Sequence, residues 1–247
     1  MKHKYKILVG VVVYNEENKL LHLLQTLEKV IPNSNYFFVF VNDHSTDKSS
    51  QYLADFVKKY KNTLIIINQR NSGVGKSIKN IVDYGLEMKY DLCVIMAGNG
   101  KDNPHEIKKI VTPIISHNYD YVQGSRFLNG GSYNNLPFPR KMMIVGFTSL
   151  FFLFTGFHGT DASNGFRAYK LSLFKDRRIK IHQTWLDRYE FETYLHYKVI
   201  TLGYRICEVA VSKNYLVGIK NYSKIRPFID WWKMIRPLIY LKLHLRS

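Results

Sequence analysis

The sequence is poor in cysteine and in acidic side chains, and both shortages narrow the classes of protein to which it can belong. It has two cysteines in 247 residues, Cys93 and Cys207, and each lies in an apolar, strand-like run. Two such residues make neither a disulfide framework nor a cysteine metal site, so we expect buried thiols in a reducing compartment. Asp and Glu number 19 against 36 Lys and Arg, which gives a net charge of +17. This excess favours anionic partners: phosphates, nucleic acid or an acidic membrane surface.

Apolar runs long enough to span a bilayer are also lacking. Residues 142–157 are nearly all apolar, but they fall short of the roughly 20 residues that a membrane-spanning helix needs. We expect a buried or interfacial helix there. A second apolar run, residues 7–13, is followed by Tyr14-Asn15-Glu16 and not by the small residues of a signal-peptide cleavage site. We therefore interpret it as the first β-strand.

Short apolar runs alternate with amphipathic stretches through the first half of the chain, a pattern that predicts a mostly parallel sheet with helices on both faces. After about residue 120 the pattern becomes less regular. We find no internal repeat and no low-complexity linker, so one continuous domain is expected. The predicted strands are 7–13, 36–41, 64–67, 92–96, 121–124 and 205–211, and the predicted helices are 17–30, 49–59, 76–88, 142–157 and 189–201.

Polar or glycine-rich turns follow the first four predicted strands. Right-handed crossovers bring such turns to one edge of the sheet, where ligands of open α/β sheets bind. Glu16 in the first turn can accept hydrogen bonds from a ribose or a base, and Asp43 in the second turn can do the same. Ser45 and Asp47 are as well explained as caps of the next helix. The four turns are residues 14–17, 42–47, 71–76 and 97–103.

The run Gly73-Val74-Gly75-Lys76-Ser77 resembles part of an ATP-binding P-loop, but Arg70 stands where that loop needs its first glycine. The glycines are more simply explained by a close approach of the backbone to a ligand or to the neighbouring turn. The helix N-terminus that follows favours a phosphate.

Five motifs of the chain belong together: they are residues 11–16, 41–47, 71–75, 124–126 and 161–167. In combination they resemble family-2 glycosyltransferases, and in particular the branch that contains dolichol-phosphate mannose synthases and bacterial polyprenyl-phosphate glycosyltransferases. The resemblance covers nearly the whole chain. It implies a GT-A fold, a Rossmann-like α/β architecture, and inverting transfer of a sugar from a nucleotide-sugar donor to a polyprenyl phosphate.

The same resemblance assigns roles to individual residues. Positions matching Glu16 and Asp43 contact the nucleoside, and Asn42 departs from the usual pair of aspartates, which leaves the base preference open. Lys224 in Tyr222-Ser223-Lys224 resembles the family's contact to the acceptor phosphate. The full nucleotide-sugar set is Tyr14, Glu16, Asn42, Asp43, Gly73, Gly75, Lys76, Gly98 and Asn99, and the acceptor or phosphate set is Arg140, Asn164, Arg167 and Lys224.

The turn after the fourth strand lacks the carboxylates that the resemblance requires. Ala97, Asn99 and Lys101 stand where relatives hold Mg²⁺ or Mn²⁺ with two aspartates and a glutamine. Three interpretations remain open. Lys101 can supply the positive charge itself in a metal-independent reaction; a metal can bind in a shifted geometry through Asp102 or Asp161; or the chain is an inactive relative. Retention of the charged residues of the other motifs argues against the third.

The acceptor needs no strong general base from the protein, because a phosphate monoester is already ionised at neutral pH. Attack from the face opposite the leaving diphosphate inverts the anomeric carbon. Asp161 is the best candidate to position the acceptor or to stabilise the oxocarbenium-like centre. We name Asp161, Lys101 and Arg126 as the catalytic candidates.

The C-terminal residues favour a membrane-bound acceptor. Ile225, Phe228, Ile229 and Trp232 share one helical face, and Pro237 is predicted to break the helix. We expect one GT-A domain over 1–224, with a nucleotide-sugar half (1–123) and an acceptor half (124–224), and a basic aromatic tail over 225–247. The tail favours an anionic membrane surface as a partner and a cytoplasmic, peripheral location at its inner face.

The main alternatives are a family-2 enzyme acting on a glycan, or an inactive relative. A basic nucleic-acid-binding protein is a weaker alternative, and we expect no nucleic acid partner, because the basic residues are spread along the chain without a nucleic-acid-binding signature. A nucleotidyltransferase would want a glycine-rich loop with a lysine directly after the first strand, where Tyr14-Asn15-Glu16 stands.

Overall fold

The chain forms one seven-stranded sheet covered by helices on both faces, with a small two-stranded sheet at its side. The computed structural model describes residues 5–215, 224–226 and 228–247. The strands are β1 (Ile7–Val13), β2 (Tyr36–Asn42), β3 (Thr63–Ile67), β4 (Leu92–Ala97), β5 (Tyr121–Ser125), β6 (Ser132–Asn134), β7 (Arg167–Lys170), β8 (Ile206–Ala210) and β9 (Ser212–Asn214). The helices are α1 (Glu17–Val30), α2 (Ser49–Lys59), α3 (Val74–Glu87), α4 (Ile107–His117), α5 (Phe138–Thr155), α6 (Glu190–Thr201) and α7 (Ile229–Lys242). Short 3-10 helices lie at Ile31–Asn33, Pro104–Glu106, Leu171–Lys175 and Thr184–Leu186.

The order of the strands places a ligand crevice between β1 and its neighbours. The large sheet runs β3-β2-β1-β4-β7-β5-β8, and β6 pairs with β9. β1 is parallel to β2 on one side and to β4 on the other, so the strand order reverses at β1. A reversal of this kind opens a crevice at the carboxyl ends of the strands. The turns after β1, β2 and β4 meet there. The mostly parallel α/β architecture predicted from the sequence is confirmed.

Two apolar cores cover the two faces of this sheet, and alternate residues of β1 divide between them. Leu8 packs with α3, α6 and the buried side of α7, while Val9 and Val11 pack with α1, α2 and α4. All three side chains are fully buried. Strands that are covered on both faces read as continuous apolar runs, which is why β1 and β4 could be recognised in the sequence.

The predicted bounds of β1, α1 and α2 are confirmed, whereas α5 differs from its predicted bounds. α5 begins at Phe138, not at residue 142, because Pro137 and Pro139 suit the first turn of a helix. It ends at Gly156, which takes the left-handed conformation with φ of 72°. Among the described residues, no helix combines the length and the apolarity needed to cross a bilayer.

The prediction that Pro237 breaks the C-terminal helix is wrong. α7 continues through Pro237 to Lys242. Proline removes one hydrogen bond from a helix interior, and packing can compensate for this loss. Here Pro237, Leu238 and Leu241 are all buried, and Leu238 and Leu241 belong to the same core as α6. The helix is therefore held by its neighbours across the proline.

Candidate active site

A cavity of about 660 Å³ opens at the carboxyl ends of β1, β2 and β4, where the crevice was expected. Its wall combines residues from the strand-end turns with residues from α5, α6 and the segment that leads into α7. The predicted site residues that line it are Tyr14, Glu16, Asp43, Gly73, Asn99, Lys101, Arg126, Arg140 and Lys224.

Other predicted site residues do not line this cavity. They lie directly behind its wall or, in the case of Lys76, line a neighbouring cavity. Through their contacts, these residues hold the wall of the cavity in place. These residues are Asn42, Gly75, Lys76, Gly98, Asp102, Asp161, Asn164 and Arg167.

Asp43 anchors the loop between β3 and α3. Its Oδ1 accepts hydrogen bonds from Asn68 Nδ2 at 2.7 Å and from the backbone N–H of Ser72 at 2.9 Å. Its Oδ2 accepts from the backbone N–H of Gly73 at 2.8 Å. Asp43 therefore shapes the rim of the cavity, in the position from which the resemblance predicts contact with a nucleoside.

Asn42 is used inside the protein. Its Nδ2 donates to Ser50 Oγ at 2.7 Å, and its Oδ1 accepts from the backbone N–H of Ser45 at 2.9 Å. Only 1% of the residue is exposed. Asn42 thus fastens the turn after β2 to the start of α2.

Gly73 and Gly75 allow the backbone to approach a neighbouring turn, one of the two explanations that the sequence left open. A Cβ atom on Gly75 would lie 2.0 Å from the carbonyl oxygen of Leu186. Gly73 has φ of +100°, a conformation that side chains disfavour. The backbone N–H of Lys76 donates to the carbonyl of Asp187 at 2.9 Å, which joins the two segments.

Lys224 bridges the C-terminal segment to the turn after β1. Its Nζ lies 3.2 Å from Glu16 Oε1, donates to the carbonyl of Asn15 at 2.7 Å, and lies 4.9 Å from the centre of the Tyr14 ring. Burial lowers the pKa of Lys224, and the Glu16 carboxylate partly offsets this effect. Glu16 also binds Lys19 at 2.8 Å. Tyr222 and Ser223, which share the predicted motif with Lys224, lie outside the described residues.

The turn after β4 presents an ammonium group to the cavity. Gly98 packs against β1, where a Cβ atom would lie 2.6 Å from Val13 Cγ2. The side-chain oxygen of Asn99 accepts a hydrogen bond from the backbone N–H of Lys101 at 3.2 Å. This local bond holds the turn so that Asn99 and Lys101 both line the cavity.

The ammonium of Lys101 lies among other positive charges. Burial lowers the pKa of Lys101 to about 7. The charges of Lys213, Lys19 and Arg140 act in the same direction, and the charge of Glu16 opposes them. Such a cluster of cations, partly removed from water, favours the binding of a polyanion.

Asp102 points away from the cavity and holds Lys213. Its Oδ1 lies 2.8 Å from Lys213 Nζ, and its Oδ2 accepts from the backbone N–H of Ala97 at 3.2 Å. Lys213 Nζ also donates to Asn164 Oδ1 at 2.7 Å. The sequence analysis missed Lys213, because nothing in a short polar strand indicates a partner more than a hundred residues away.

Arg126 and Asp161 form a buried, two-pronged ion pair. Arg126 Nε and Nη2 lie 2.6 and 2.7 Å from the two Asp161 oxygens. Burial alone would lower the pKa of Arg126, but the Asp161 carboxylate more than offsets it, so that the pKa is raised. Arg126 also donates to Tyr215 Oη at 2.6 Å and to Ser163 Oγ at 3.1 Å. Arg126 lines the cavity and Asp161 lies fully buried behind it.

Arg167 holds the loop between α5 and β7. Its guanidinium donates to the backbone carbonyls of Asn164, Glu192 and Ala162 at 2.7, 2.8 and 3.1 Å. Asn164 Oδ1 in turn accepts from the backbone N–H of Phe166 at 3.1 Å. These contacts position the wall of the cavity around Ser163 and Gly165, which line it.

The turn after β4 does not fit a divalent metal. Ala97 has no donor atom in its side chain, Asp102 is paired with Lys213, and Asp161 is paired with Arg126. Over the described ranges 5–215, 224–226 and 228–247, no three His, Cys, Asp or Glu side chains lie close enough together to hold a metal ion. Mg²⁺ and Mn²⁺ need several oxygen ligands, and here ammonium groups line the same wall.

An apolar groove of about 220 Å³ lies between α5 and α7 and reaches the cavity at Ser163, which lines both. Its side chains are almost entirely hydrocarbon, in contrast to the charged cavity next to it. They include Met143, Ile144, Phe147, Leu150, Trp231, Met234 and Ile235.

The sequence pattern of Glycosyl transferase family 2 matches residues 8–178, well over half of the chain. The chain belongs to glycosyltransferase family 2. It is an enzyme of this family by sequence. The matched region contains β1 except for Ile7, all of β2 to β7, and most of the site residues described above.

Two relatives of this family-2 glycosyltransferase are named for transfer to a lipid phosphate. One relative is the UDP-N-acetylglucosamine--dolichyl-phosphate N-acetylglucosaminyltransferase of Methanococcus voltae. The present chain is 28% identical to it over 190 residues, and the alignment covers 72% of this chain and 73% of the relative. The chain is 26% identical to the undecaprenyl-phosphate mannosyltransferase of Micrococcus luteus, covering 84% and 83%. The crystal structure of glucosyl-3-phosphoglycerate synthase from Mycobacterium tuberculosis matches with a TM-score of 0.70 at 12% identity, over 98% of this chain and 80% of that one. This structural likeness shows the GT-A fold.

Several residues of the glycosyltransferase cavity could not be found from the sequence. Lys19 follows Glu16 by one helical turn, a spacing that could have indicated their ion pair. The others come from the loop before α6, from β9 and the residue after it, and from α7 and the segment before it, and they reach the cavity only through the tertiary fold. They are Arg188, Tyr189, Lys213, Tyr215, Arg226, Asp230 and Lys233.

Proposed function

We propose that this family-2 glycosyltransferase transfers a sugar from a nucleotide-sugar donor to a polyprenyl phosphate, with inversion at the anomeric carbon, at a membrane surface. The donor occupies the cavity at the ends of β1, β2 and β4. The acceptor phosphate enters from the side of Arg126 and Arg140. The relatives that are named for transfer to dolichyl and undecaprenyl phosphate support this choice of acceptor.

The observation that carries the proposal is the junction of the charged cavity with the apolar groove at Ser163. A polyprenyl phosphate has an anionic head and a hydrocarbon chain, so it needs both environments side by side. Arg126 supplies a cation at the junction, because Asp161 and Tyr215 hold its guanidinium in place. A water-soluble glycan would need polar partners in the groove, where Met143, Phe147 and their neighbours offer almost none.

Exposed apolar side chains on α5 and around the start of α7 support a peripheral position on a membrane. They lie on the two helices that form the groove, so the acceptor could pass from the lipid into the groove directly. Lys141 lies on α5 and suits anionic headgroups. The exposed apolar side chains are Phe138, Met142, Val145, Leu153, Phe228, Ile229 and Trp232.

The proposed reaction needs no strong general base and no metal. The acceptor phosphate is ionised, and it attacks the anomeric carbon opposite the departing nucleoside diphosphate. Lys101 places a positive charge beside the leaving group, where it stabilises the developing negative charge. Asp161 acts through Arg126, which it positions, and does not itself touch the reacting atoms.

The test is sugar transfer to undecaprenyl phosphate from a panel of GDP-, UDP- and dTDP-sugars, followed by extraction of the product into organic solvent. We expect nucleoside diphosphate release that depends on the acceptor, together with sugar in the organic phase. Release without a lipid-linked product would contradict the proposed acceptor. The absence of both with every donor would contradict the function as a whole.

A pair of methionine substitutions tests the groove. Met234→Glu places a charge in the groove and should abolish transfer to the long-chain acceptor while sparing transfer to a short isoprenyl phosphate. Met88→Glu is the matched control, because Met88 is half exposed at the end of α3 and far from the groove. Equal activity of the two variants with the long-chain acceptor would argue against lipid binding between α5 and α7.

A further inference from the structure

We propose that Lys101 and Lys213 together bind the diphosphate of the donor and take the place of a divalent metal, with Asp102 as the residue that positions Lys213. The inference rests on the proposed nucleotide-sugar donor. Lys213 then binds the diphosphate and Asp102 positions Lys213, and neither residue is a metal ligand. This assignment follows from the contact between the turn after β4 and β9, which are distant in sequence.

The two lysines come from segments that the backbone joins. The carbonyl of Lys101 accepts a hydrogen bond from the N–H of Asn214 at 3.0 Å, and Asp102 forms an antiparallel bridge with Lys213. The turn after β4 is thereby fastened to β9. Both lysine side chains line the same cavity, beside Ala97 and Asn99. The ammonium groups therefore reach the wall at which the family resemblance places a metal.

Asp102 directs Lys213 and does not face the cavity. Lys213 Nζ lies 2.8 Å from Asp102 Oδ1 and 2.7 Å from Asn164 Oδ1. Among the described residues, Asn164 Oδ1 accepts a hydrogen bond from this ammonium, whereas Asp102 Oδ1 is its ion-pair partner without a hydrogen bond. An ammonium has three N–H donors, so donors remain for a ligand. Asp102 is only 3% exposed, and its second oxygen accepts from the backbone N–H of Ala97. One oxygen of the Asp102 carboxylate thus holds the Lys213 ammonium at the cavity wall, and the other oxygen holds the turn after β4.

The charge of the cluster fits a diphosphate. A bound diphosphate favours the charged form of Lys101, so two ammonium groups then supply the two positive charges that a divalent ion would bring, and Arg140 and Lys19 add to the field. Glu16 is the acidic group that acts on Lys101, and it is already paired with Lys19 and Lys224. Asp43, Glu192 and Asp230 line the same cavity, and Asp230 is paired with Lys233. The mutual repulsion of the cations is relieved when an anion binds, so the free site favours a ligand with several negative charges.

The test compares the binding of a nucleoside diphosphate with the binding of its nucleoside, by calorimetry in EDTA, on the full chain. Wild type should bind the diphosphate in EDTA, and Lys101→Met and Lys213→Met should each weaken this binding about tenfold to a hundredfold, the usual range for loss of a charged hydrogen bond. Binding of the nucleoside should not change. Asp102→Asn should weaken diphosphate binding in the same selective way, because Lys213 loses its anchor.

Two further variants separate this effect from loss of structure. Lys213→Arg keeps the charge and should retain most of the binding. Lys170→Met is the matched control, because Lys170 forms a comparable ion pair with Asp120 at 2.8 Å but lies outside the cavity. If Asp102→Asn or Lys213→Met weakened nucleoside and diphosphate binding equally, their roles would be structural and the inference would be overturned.

The outcomes also distinguish this inference from the proposed function. Diphosphate binding by the wild type only when Mn²⁺ or Mg²⁺ is added would overturn the inference, and transfer to polyprenyl phosphate could still be observed with the metal. Lysine-dependent binding in EDTA without any lipid-linked product would support the inference and contradict the proposed acceptor. Failure to bind any nucleoside diphosphate, with or without metal, would overturn both.

Discussion

His196 is a histidine held without charge inside the apolar core, and its replacement should change how stability depends on pH. The residue lies on α6 and is 1% exposed. Its ring packs against Tyr121, Phe151 and Phe157, with ring centres 5.2, 4.5 and 5.6 Å away. Neither ring nitrogen has a hydrogen-bond partner in the described part of the chain. Burial, and secondarily the charge of Arg167, lowers the pKa of His196 well below 6.5.

The expected effect of His196→Phe has a part that depends on pH and a part that does not. Below pH 6.5 the unfolded chain binds a proton at this histidine and the folded chain does not, so the wild type loses stability as the pH falls. The loss approaches about 1.4 kcal/mol per pH unit, or about 2 kcal/mol by pH 5. The variant lacks this loss. At pH 8 the gain from removing an unsatisfied polar group, about 1–3 kcal/mol, is opposed by any overpacking of the larger ring.

The measurement is urea unfolding of the wild type and of His196→Phe at pH 8, 7, 6 and 5. The variant should gain on the wild type by about 2 kcal/mol between pH 7 and pH 5, whatever the offset at pH 8. His22→Phe on the exposed side of α1 reports what the loss of a surface histidine does over the same range. A stability difference that stays constant from pH 8 to pH 5 would refute the description of His196 as a neutral core residue.

Three further predictions follow from the packing and the buried groups. Arg126→Lys loses the two-pronged contact with the Asp161 carboxylate. The rate of sugar transfer should fall about 100-fold and the free energy of unfolding by roughly 1–3 kcal/mol, as measured by initial rates and urea unfolding. Unchanged transfer rates would exclude a role of Arg126 at the phosphate. Gly75→Ala should lower the free energy of unfolding by about 1–3 kcal/mol, because the new Cβ would lie 2.0 Å from a carbonyl oxygen. Gly146→Ala on α5 has open space around it and should raise the free energy of unfolding by about 0.5–1 kcal/mol. The reverse order of urea midpoints would contradict both predictions. Burial raises the pKa of the Cys93 thiol far above its usual range and that of the Cys207 thiol to about 11. An aromatic disulfide reagent at pH 8 should therefore label Cys207 slowly and Cys93 only after unfolding. Rapid labelling of the native protein would count against this packing.

The first half of the fold was predictable because its strands are buried on both faces. β1 and β4 are continuous apolar runs, and the helices between the strands carry clear apolar stripes. β7 was missed because its four residues, Arg167–Lys170, mix charged and apolar side chains and form no continuous apolar run, although the fold buries three of them. β9 was missed for a similar reason, since Ser212–Asn214 has no apolar residue.

The site was predictable as a set of motifs but not as a set of contacts. Glu16, Asp43 and Lys101 line the cavity because strand ends of a parallel sheet meet at one edge. The sequence could not indicate that Asp161 binds Arg126, or that Asp102 binds Lys213, because a carboxylate in a loop has the same local pattern whether it faces a ligand or a buried cation. The roles assigned to Asp161 and Lys101 in the reaction remain predictions.

The attachment of the turn after β4 to β9 makes the substitutions at this turn depend on one another. Restoring the two aspartates through Ala97→Asp and Asn99→Asp would place new carboxylates beside two ammonium groups, which would pair with them before a metal could. Removing the lysines first would leave Asp102 buried without its cation. Adding the aspartates first therefore gives ion pairs in place of a metal site, and removing the lysines first gives a less stable protein. An engineer who wants a metal-dependent version of this enzyme would have to change residues 97, 99, 101, 102 and 213 as one block.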